Sequence, residues 1–260
     1  MPQDGPSTPL RRFEGRVLIV TGATGGLGHA CVLRLVEEGA AVVAVGRRSA
    51  ACAALVAEVG ARGGSVVAVV ADVTDRSAPQ RMVDAALASF GRLDGAVNSA
   101  GMSPPAQGVI GYSDDLWDET FDVNVHAVFR CMRAQLEHLV PTGRGAIVNV
   151  ASYTARTVQS GGVIAYAASK HAVLGMTRAA ARDCAASGVR VNAVGPGHIR
   201  TRMIDRLLEA PGGPERLRER IPMQRVSEPS EIAATVAFML SDDASFVTGQ
   251  MLVADGGLSI

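Results

Sequence analysis

The sequence predicts an α/β fold, a doubly wound parallel sheet of seven strands with helices on both faces. Short apolar runs alternate with helix-forming segments seven times along the chain, as in consecutive β–α units. The apolar runs are continuous and do not alternate with polar residues, which is typical of strands covered on both faces. We expect right-handed crossovers between these strands.

The length and composition predict one globular domain. The chain has 260 residues, of which 48% are hydrophobic and 19% charged. Residues 1–12 contain three prolines and no apolar core of a signal peptide, and we expect a flexible tail there. No linker or repeat divides residues 13–260, so we expect a single domain.

The charge pattern argues against several classes of partner. Lys+Arg and Asp+Glu both number 25, and no basic stripe suggests nucleic acid or an anionic membrane. Apolar runs such as Ala40–Val45 are too short to span a bilayer. The four cysteines form no CxxC pair and are expected to be buried, reduced thiols without a metal. We therefore expect a cytoplasmic protein.

A strand, a glycine-rich turn and a helix open the predicted domain. Arg16–Thr21 is an apolar run with β-branched residues, and a helix is expected from Gly26 to about Glu38. This layout presents backbone N–H groups and a helix N-terminus to a pyrophosphate, although the turn could need glycine for its shape alone. The candidate contacts in this turn are Gly22, Thr24, Gly25, Gly26, Leu27 and Gly28.

The end of the second strand favours NADP(H) over NAD(H). The strand Ala41–Val45 leads into Gly46, Arg47 and Arg48. An acidic residue here would bind the 2′-hydroxyl of NAD, whereas arginine accommodates the 2′-phosphate of NADP. Arg47 and Arg48 are therefore candidate phosphate contacts, the alternative being two solvated loop residues.

The later elements also end in polar residues at the carboxyl edge of the sheet, where ligands of such sheets bind. Asp72 and Val73 follow the third strand at a position suited to an adenine. Arg200–Arg225 is a charged segment around Pro211-Gly-Gly-Pro214, which we interpret as a substrate lid. The remaining predictions are helices at 49–59, 78–90, 115–139, 166–186 and 228–240, and strands at 65–71, 95–98, 145–151, 189–194 and 250–253.

Tyr166 and Lys170 are the strongest candidates for chemistry. Their spacing of four places both side chains on one face of a predicted helix. A nearby ammonium stabilises a phenolate and lowers the pKa of the tyrosine, which suits proton exchange with a substrate oxygen. The alternative is an ordinary i,i+4 pair on a solvated helix.

Taken in order, these motifs resemble the compact, single-domain short-chain dehydrogenase/reductase family, and in particular 3-oxoacyl-thioester reductases and related ketoreductases. The resemblance covers about Phe13 to Gly257. It rests on Thr21–Gly28 (TGxxxGxG), Asn98-Ser-Ala-Gly101, Asn124 in Asp-Val-Asn-Val, Ser152, Tyr166 with Lys170, and Pro196-Gly197 followed by Ile199 and Thr201. It implies a Rossmann-type fold and a homotetramer or homodimer.

The resemblance also implies roles for particular residues. Tyr166 would donate a proton to the substrate oxygen while Ser152 holds that oxygen, as hydride passes between nicotinamide and a ketone or secondary alcohol. Lys170 would lower the pKa of Tyr166 and bond the nicotinamide ribose, and Asn124 would hold a water. Further implied cofactor contacts are Asn98, Ala100, Gly101, Tyr166, Lys170, Pro196, Gly197, Ile199 and Thr201.

Two departures from the family pattern keep alternatives open. Ser99 replaces the second asparagine of the NNAG motif, and the gap from Ser152 to Tyr166 is 14 residues where 13 is commoner. The glycine turn also fits the TGxxGxxG of sugar-nucleotide epimerases, but this chain is too short for their substrate domain. The leading hypothesis is an NADPH-dependent ketoreductase; the alternatives are an NAD-dependent alcohol dehydrogenase and a non-catalytic dinucleotide sensor.

The substrate is expected to be a medium-sized, partly hydrophobic ketone or alcohol. Its pocket should be lined by residues 102–107, 153–162, His198 and residues 203–208, where Tyr153, Val158, Val163, Met203 and Leu207 are apolar or aromatic. The C-terminal Leu258–Ile260 is expected to reach a neighbouring subunit.

Overall fold

A computed structural model of the chain describes residues 10–158, 161–209 and 211–260. Within these ranges, seven parallel strands form one sheet in the order β3-β2-β1-β4-β5-β6-β7. The strands are β1 (Val17–Thr21), β2 (Ala41–Gly46), β3 (Ser65–Val70), β4 (Gly95–Asn98), β5 (Gly145–Val150), β6 (Val189–Pro196) and β7 (Met251–Ala254). The predicted fold class is confirmed.

Helices cover both faces of this sheet. Those of the described ranges are α1 (Gly26–Glu37), α2 (Ser49–Ala61), α3 (Ala78–Phe90), α4 (Asp114–Phe121), α5 (Ala127–Thr142), α6 (Ile164–Cys184), α7 (Asp205–Glu209), α8 (Gly213–Arg220) and α9 (Pro229–Leu240). One buried apolar cluster joins α1 and α9 to the sheet, and another joins α3, α5 and α6 to its opposite face. Both faces of the apolar strands are therefore buried, as their composition requires. None of these helices is long and apolar enough to cross a bilayer.

From β1, strands β2 and β3 extend the sheet in one direction, and strands β4 to β7 extend it in the other. Thr21 at the end of β1 lies level with Val45 of β2 and Asn98 of β4. A reversal of this kind opens a crevice at the carboxyl edge of the sheet, which is where ligands of doubly wound folds bind. The glycine turn after β1 lies at this crevice.

The structure corrects the predicted helix 115–139. It consists of α4 and α5 joined by a π-helical turn at Asp122–His126, in which the Ala127 N–H bonds the Asp122 carbonyl. Ser113 caps α4 by accepting a hydrogen bond from the Leu116 N–H. Single π turns inside helices are frequent at functional sites, and this one contains Asn124.

Residues near both ends of the described chain pack on the rest of the domain. Arg12, assigned to the flexible tail, bonds the buried Glu38 through its Nε (2.7 Å) and Nη2 (2.8 Å). Phe13 beside it is completely buried. At the other end, Leu258 is buried against its own chain, in the cluster that contains Ile204, Leu217 and Ile221. Leu258 thus packs within its own chain, while Ile260 at the end of the same segment is 91% exposed, and a contact of Leu258–Ile260 with a neighbouring subunit stays a prediction.

Candidate active site

The glycine turn is shaped by two close backbone approaches. Gly22 has φ +67°, and a Cβ on it would lie 3.0 Å from the Ala100 backbone. A Cβ on Gly28 would lie 2.1 Å from the Gly22 carbonyl oxygen. No side chain fits at either position, so the turn brings the start of α1 directly onto the end of β1. The result is a backbone cradle at a helix N-terminus, which fits a pyrophosphate.

Thr21 joins this turn to the end of β4. Its Oγ1 accepts hydrogen bonds from the Ser99 and Ala100 N–H groups, both at 3.1 Å. The backbone of Ser99 makes this contact, so replacing the usual asparagine does not remove it. Gly101 continues towards the catalytic residues, since a Cβ on it would lie 3.3 Å from Asn124 Oδ1 and 3.5 Å from Lys170 Nζ.

The Asn98 side chain lies in the core, so the predicted cofactor contact at this residue would have to come from its backbone. Its amide exchanges hydrogen bonds with Gln135 on α5, at 3.0 and 2.9 Å, and donates to Asn149 on β5 at 2.9 Å. Asn149 in turn donates to Thr177 on α6 at 3.0 Å. These four buried side chains form a polar network behind the crevice, and Asn98 can face the cofactor only through its backbone.

Asn124 is held by three hydrogen bonds. Its Oδ1 accepts from the Met102 N–H at 2.8 Å, and its Nδ2 donates to the Met102 carbonyl at 2.9 Å and to Ser169 Oγ at 3.1 Å. Ser169 Oγ donates to the Tyr166 carbonyl at 2.8 Å. The completely buried Asn124 amide thus ties the loop after β4 to the catalytic helix. It has no N–H left for a water, so a water held by Asn124 would need its backbone.

Lys170 is buried beneath Tyr166. Its Nζ donates to the Val150 carbonyl at 2.9 Å and lies 5.6 Å from the centre of the Tyr166 ring. Burial lowers the pKa of Lys170 to about 8, because the ammonium loses hydration and gains no carboxylate partner. The predicted i,i+4 pair is therefore inside the site and not on a solvated helix face.

Ser152 and Tyr166 form the hydroxyl pair of the site. Burial raises the pKa of Tyr166 above its ordinary value, while a hydrogen bond from Ser152 opposes the rise and the neighbouring Tyr153 adds to it. The expected lowering of the Tyr166 pKa by Lys170 is therefore not seen, because loss of hydration is the largest influence on this pKa and the opposing contribution comes from Ser152. A protonated Tyr166 at neutral pH is a proton donor.

The end of the crevice beside β2, where the adenosine of a dinucleotide is expected, is exposed. Arg47 and Arg48 follow β2 on the surface, and Arg47 Nη1 lies 3.6 Å from Asp72 Oδ2. Asp72 also accepts hydrogen bonds from the Thr74 N–H (2.9 Å) and hydroxyl (2.8 Å). Partial burial raises the pKa of Asp72, but the Thr74 hydrogen bonds and the nearby Arg47 together lower it below its ordinary value. Val73 beside it is buried.

The end of β6 lies opposite the glycine turn. The Gly197 N–H bonds the Ala254 carbonyl of β7 at 3.0 Å, and the Arg200 N–H bonds the Ser227 carbonyl at 2.9 Å. Thr201 reaches across the crevice, because a Cβ on Gly26 would lie 2.4 Å from its Cγ2. The predicted contacts Pro196, Gly197, Ile199 and Thr201 therefore share one edge with Gly22–Gly28.

The predicted substrate pocket divides into buried and exposed residues. Tyr153 is buried in the cluster beneath the lid, and its ring meets His198 edge-on with centroids 5.9 Å apart. Val158 and Met203 are 55% and 53% exposed. Positions 159 and 160 of the predicted lining, and the side chain of Leu207, lie outside the described residues.

Sequence reasoning did not identify the residues that hold the site from behind. Ser169, Gln135, Asn149 and Thr177 are completely buried and hydrogen-bonded to one another or to site residues. A polar residue among apolar ones was the available signal, as in Ile147-Val-Asn-Val150 of β5. A buried amide in a strand needs partners, and these lie on α5 and α6.

Comparison with known proteins gives one consistent family. Residues 22–259 match the family model described as "Enoyl-(Acyl carrier protein) reductase". The chain is 37% identical over 253 residues to the 3-oxoacyl-[acyl-carrier-protein] reductase FabG of Thermotoga maritima, covering 96% of this chain and 100% of that protein. It is 37% identical over 245 residues to cyclohexanol dehydrogenase of an Acinetobacter species, covering 94% and 95% of the two chains.

A solved structure agrees in fold as well as sequence. The gluconate 5-dehydrogenase of Burkholderia cenocepacia, crystallised with NADP and tartrate, superposes with a TM-score of 0.91 at 29% identity, covering 96% of this chain and 98% of that one. Family match, identity and fold agree over nearly the whole chain. The protein belongs to the short-chain dehydrogenase/reductase family and is an oxidoreductase acting on alcohol or carbonyl groups.

Proposed function

We propose that the protein is an NADPH-dependent ketoreductase that reduces a ketone to a secondary alcohol. The observation that carries this proposal is the meeting of the Ser152–Tyr166 hydroxyl pair, the buried Lys170 and the glycine cradle at one crevice. When bound, the nicotinamide cofactor supplies the hydride for the carbonyl carbon. The chain has to bind the ketone, hold its oxygen and deliver one proton.

Tyr166 is the proton donor in this proposal. Its hydroxyl bonds Ser152, and burial raises its pKa, so the phenol keeps its proton at neutral pH. As hydride arrives, the carbonyl oxygen becomes an alkoxide, which takes the proton of Tyr166 while Ser152 donates a hydrogen bond to it. The buried ammonium of Lys170 then stabilises the phenolate left behind. The protonated state of Tyr166 supports the reductive direction.

Lys170 and Asn124 complete the proposed proton path. Lys170 Nζ bonds the Val150 carbonyl, which leaves its other N–H groups for a ribose hydroxyl. Asn124 would act chiefly as a clamp, because its side chain is occupied by Met102 and Ser169. Its backbone in the π turn is the group that could bind the relaying water.

The choice of NADP(H) rests on the adenosine end. Arg47 and Arg48 are exposed where a 2′-phosphate would lie, and no acidic residue directly follows β2 to bind a free 2′-hydroxyl. A fluorescence titration with NADPH and NADH tests this choice. At least tenfold tighter binding of NADPH is expected, a difference of about 1.4 kcal/mol. Preference for NADH would favour the alternative, an NAD-dependent alcohol dehydrogenase.

A partly hydrophobic substrate is supported by the entrance to the crevice. Val158 and Met203, on the loop after Ser152 and at the start of the lid, expose more than half of their surface. We further propose a cytoplasmic homotetramer, or a homodimer, assembled on the long helices. Phe129 on α5 is 45% exposed, which supports this assembly. Light scattering of the purified protein gives the oligomeric state.

The replacement Tyr166→Phe tests the reaction itself. It removes the transferred proton but keeps the ring, so ketone-dependent NADPH oxidation should fall by about 10²–10⁴-fold in kcat. Binding of NADPH should change less than about twofold, since the phenol hydroxyl is aimed at the substrate.

Arg62→Ala is the matched control, an exposed change directly after α2, and its activity should equal that of the wild type. Retained turnover by Tyr166→Phe would exclude Tyr166 as proton donor. Tight NADPH binding by the wild type without turnover of any ketone or alcohol would instead favour the sensor hypothesis.

A further inference from the structure

The C-terminal turn is a defined structural element. Asp255 Oδ1 accepts a hydrogen bond from the Gly257 N–H and its Oδ2 accepts one from the Ser259 N–H, both at 2.9 Å. Gly256 and Gly257 have φ +65° and +88°, values that few other residues adopt. These glycines turn the chain back from the end of β7 towards the lid, and the carboxylate of Asp255 fixes the turn.

This turn lies directly against the lid. The Met223 N–H donates to the Gly256 carbonyl at 3.1 Å. A Cβ on Gly256 would lie 2.8 Å from Ile221 Cγ2, and one on Gly257 would lie 2.9 Å from Pro222 Cγ. The residues that follow α8, Ile221–Met223, are therefore held between the backbone of the C-terminal turn and the rest of the lid.

Leu258 extends this contact towards the catalytic serine. It is 3% exposed, in a buried cluster whose other members come from the lid and from the turn after β5. Those members are Tyr153, Ile204, Leu217, Ile221 and Val226. Tyr153 directly follows Ser152, whose hydroxyl bonds Tyr166. Ile260, two residues further on, is 91% exposed.

We propose that Leu258 is a positioning residue that seats the lid on Tyr153 and, through Tyr153, determines how closely the site fits its substrate. The proposal rests on the ketoreductase function proposed above. Leu258 would act through the residues it packs against in this cluster. Removing its side chain leaves a cavity between the lid and Tyr153, which loosens the lid and the Ser152 backbone together.

The test compares Leu258→Ala with Leu258→Met and with the exposed control Ile260→Ala. Leu258→Ala should lower kcat/KM for a bulky ketone by about tenfold, mainly through KM, and Leu258→Met should restore most of it by refilling the cluster. Ile260→Ala should stay within about twofold of the wild type. NADPH affinity should change much less than kcat/KM in all three variants, because the glycine cradle is untouched and only Thr201 of the predicted cofactor contacts belongs to the lid.

A double-mutant cycle identifies the route of the effect. If Leu258 acts through Tyr153, then Leu258→Ala should cost little more once Tyr153→Ala is present. Equal losses in both backgrounds would overturn the proposal. A loss confined to kcat, with KM unchanged for every ketone, would also overturn it.

Hydrogen exchange supplies a readout that needs no turnover. The amides of residues 213–226 should exchange faster in Leu258→Ala than in the wild type, and at the wild-type rate in Ile260→Ala and Leu258→Met. Unchanged exchange in folded Leu258→Ala would overturn the proposal. If the wild type reduces no ketone, the ketoreductase proposal fails, and the exchange data still decide whether Leu258 seats the lid.

Discussion

The two ends of the crevice are built in opposite ways. At the catalytic end, Asn124 and Lys170 are buried and bonded to backbone carbonyls or to side chains of the core. At the adenosine end, Arg47 is 74% exposed on its side chain and has one ion-pair contact, 3.6 Å from Asp72. An exposed pair of this kind contributes little to stability.

This contrast separates chemistry from cofactor choice. The catalytic groups are fixed because the folded core determines where they lie, and moving one of them disturbs helices as well as chemistry. The groups proposed to select the cofactor would depend only on their charge and reach. Substitutions at the first end should therefore alter stability and activity together, and substitutions at the second should alter affinity alone.

Asn124→Ala should give the largest combined effect. The change leaves the Met102 N–H and carbonyl and the Ser169 hydroxyl without their partner, which should cost about 2–4 kcal/mol of unfolding free energy. Activity should fall by at least about 100-fold, because the loop after β4 loses its tie to α6. Denaturant unfolding and steady-state kinetics measure the two losses. Full stability in Asn124→Ala would contradict the description of this end as part of the core.

Lys170→Met should raise stability while removing activity. The folded protein binds the Lys170 proton more weakly than the unfolded chain, because burial lowers the pKa of Lys170 from 10.5 to about 8. The charged amine therefore opposes folding fully below about pH 8, and this cost disappears as the pH rises towards 10.5. Allowing for the lost bond to Val150, the cofactor-free variant should gain about 2 kcal/mol at pH 7.

The pH dependence supplies the control for this prediction. Thermal melts of both proteins should converge between about pH 8 and pH 10, since the wild type sheds the buried charge there. Lys170 is the sole lysine of the chain, so a lysine-selective NMR titration reports its pKa from one side-chain signal. A midpoint near 10.5 would show that the amine is hydrated and would remove the basis of the contrast.

Arg47→Ala should have the smallest effect, and this effect should be limited to cofactor affinity. NADPH affinity should fall by about tenfold with NADH affinity unchanged, as one phosphate contact is lost. The free energy of unfolding should change by less than about 0.5 kcal/mol. A fluorescence titration and a denaturation curve suffice, with Arg62→Ala as the neutral comparison. A destabilised Arg47→Ala would mean that the adenosine end also supports the fold.

The sequence predicted the fold, and the closeness of Tyr166 and Lys170, from local patterns. Apolar runs and glycine turns depend on near neighbours, so the seven strands and the carboxyl edge could be placed in advance. The π turn could not, because its backbone register depends on Asn124 bonding Met102 and Ser169, which are distant in sequence. The raised pKa of Tyr166 was also missed, since desolvation depends on tertiary burial.

The lid and the C-terminus also have features that local sequence patterns did not predict. The segment around Pro211-Gly-Gly-Pro214 predicted a lid but not the helix Gly213–Arg220, which begins with Pro214 in its first turn. The packing of Leu258 within its own subunit was also not predicted from the sequence. Its partners come from the lid and from Tyr153, which only the folded chain brings together.

The buried network behind the crevice has a consequence for how this enzyme can change over evolutionary time. Asn98, Gln135, Asn149 and Thr177 satisfy one another, so replacing any one of them leaves a neighbour with an unmet hydrogen bond. Single substitutions there are penalised, and a neutral path requires compensating pairs. New substrate preferences are therefore reached more readily through the lid and the crevice entrance, where side chains vary one at a time.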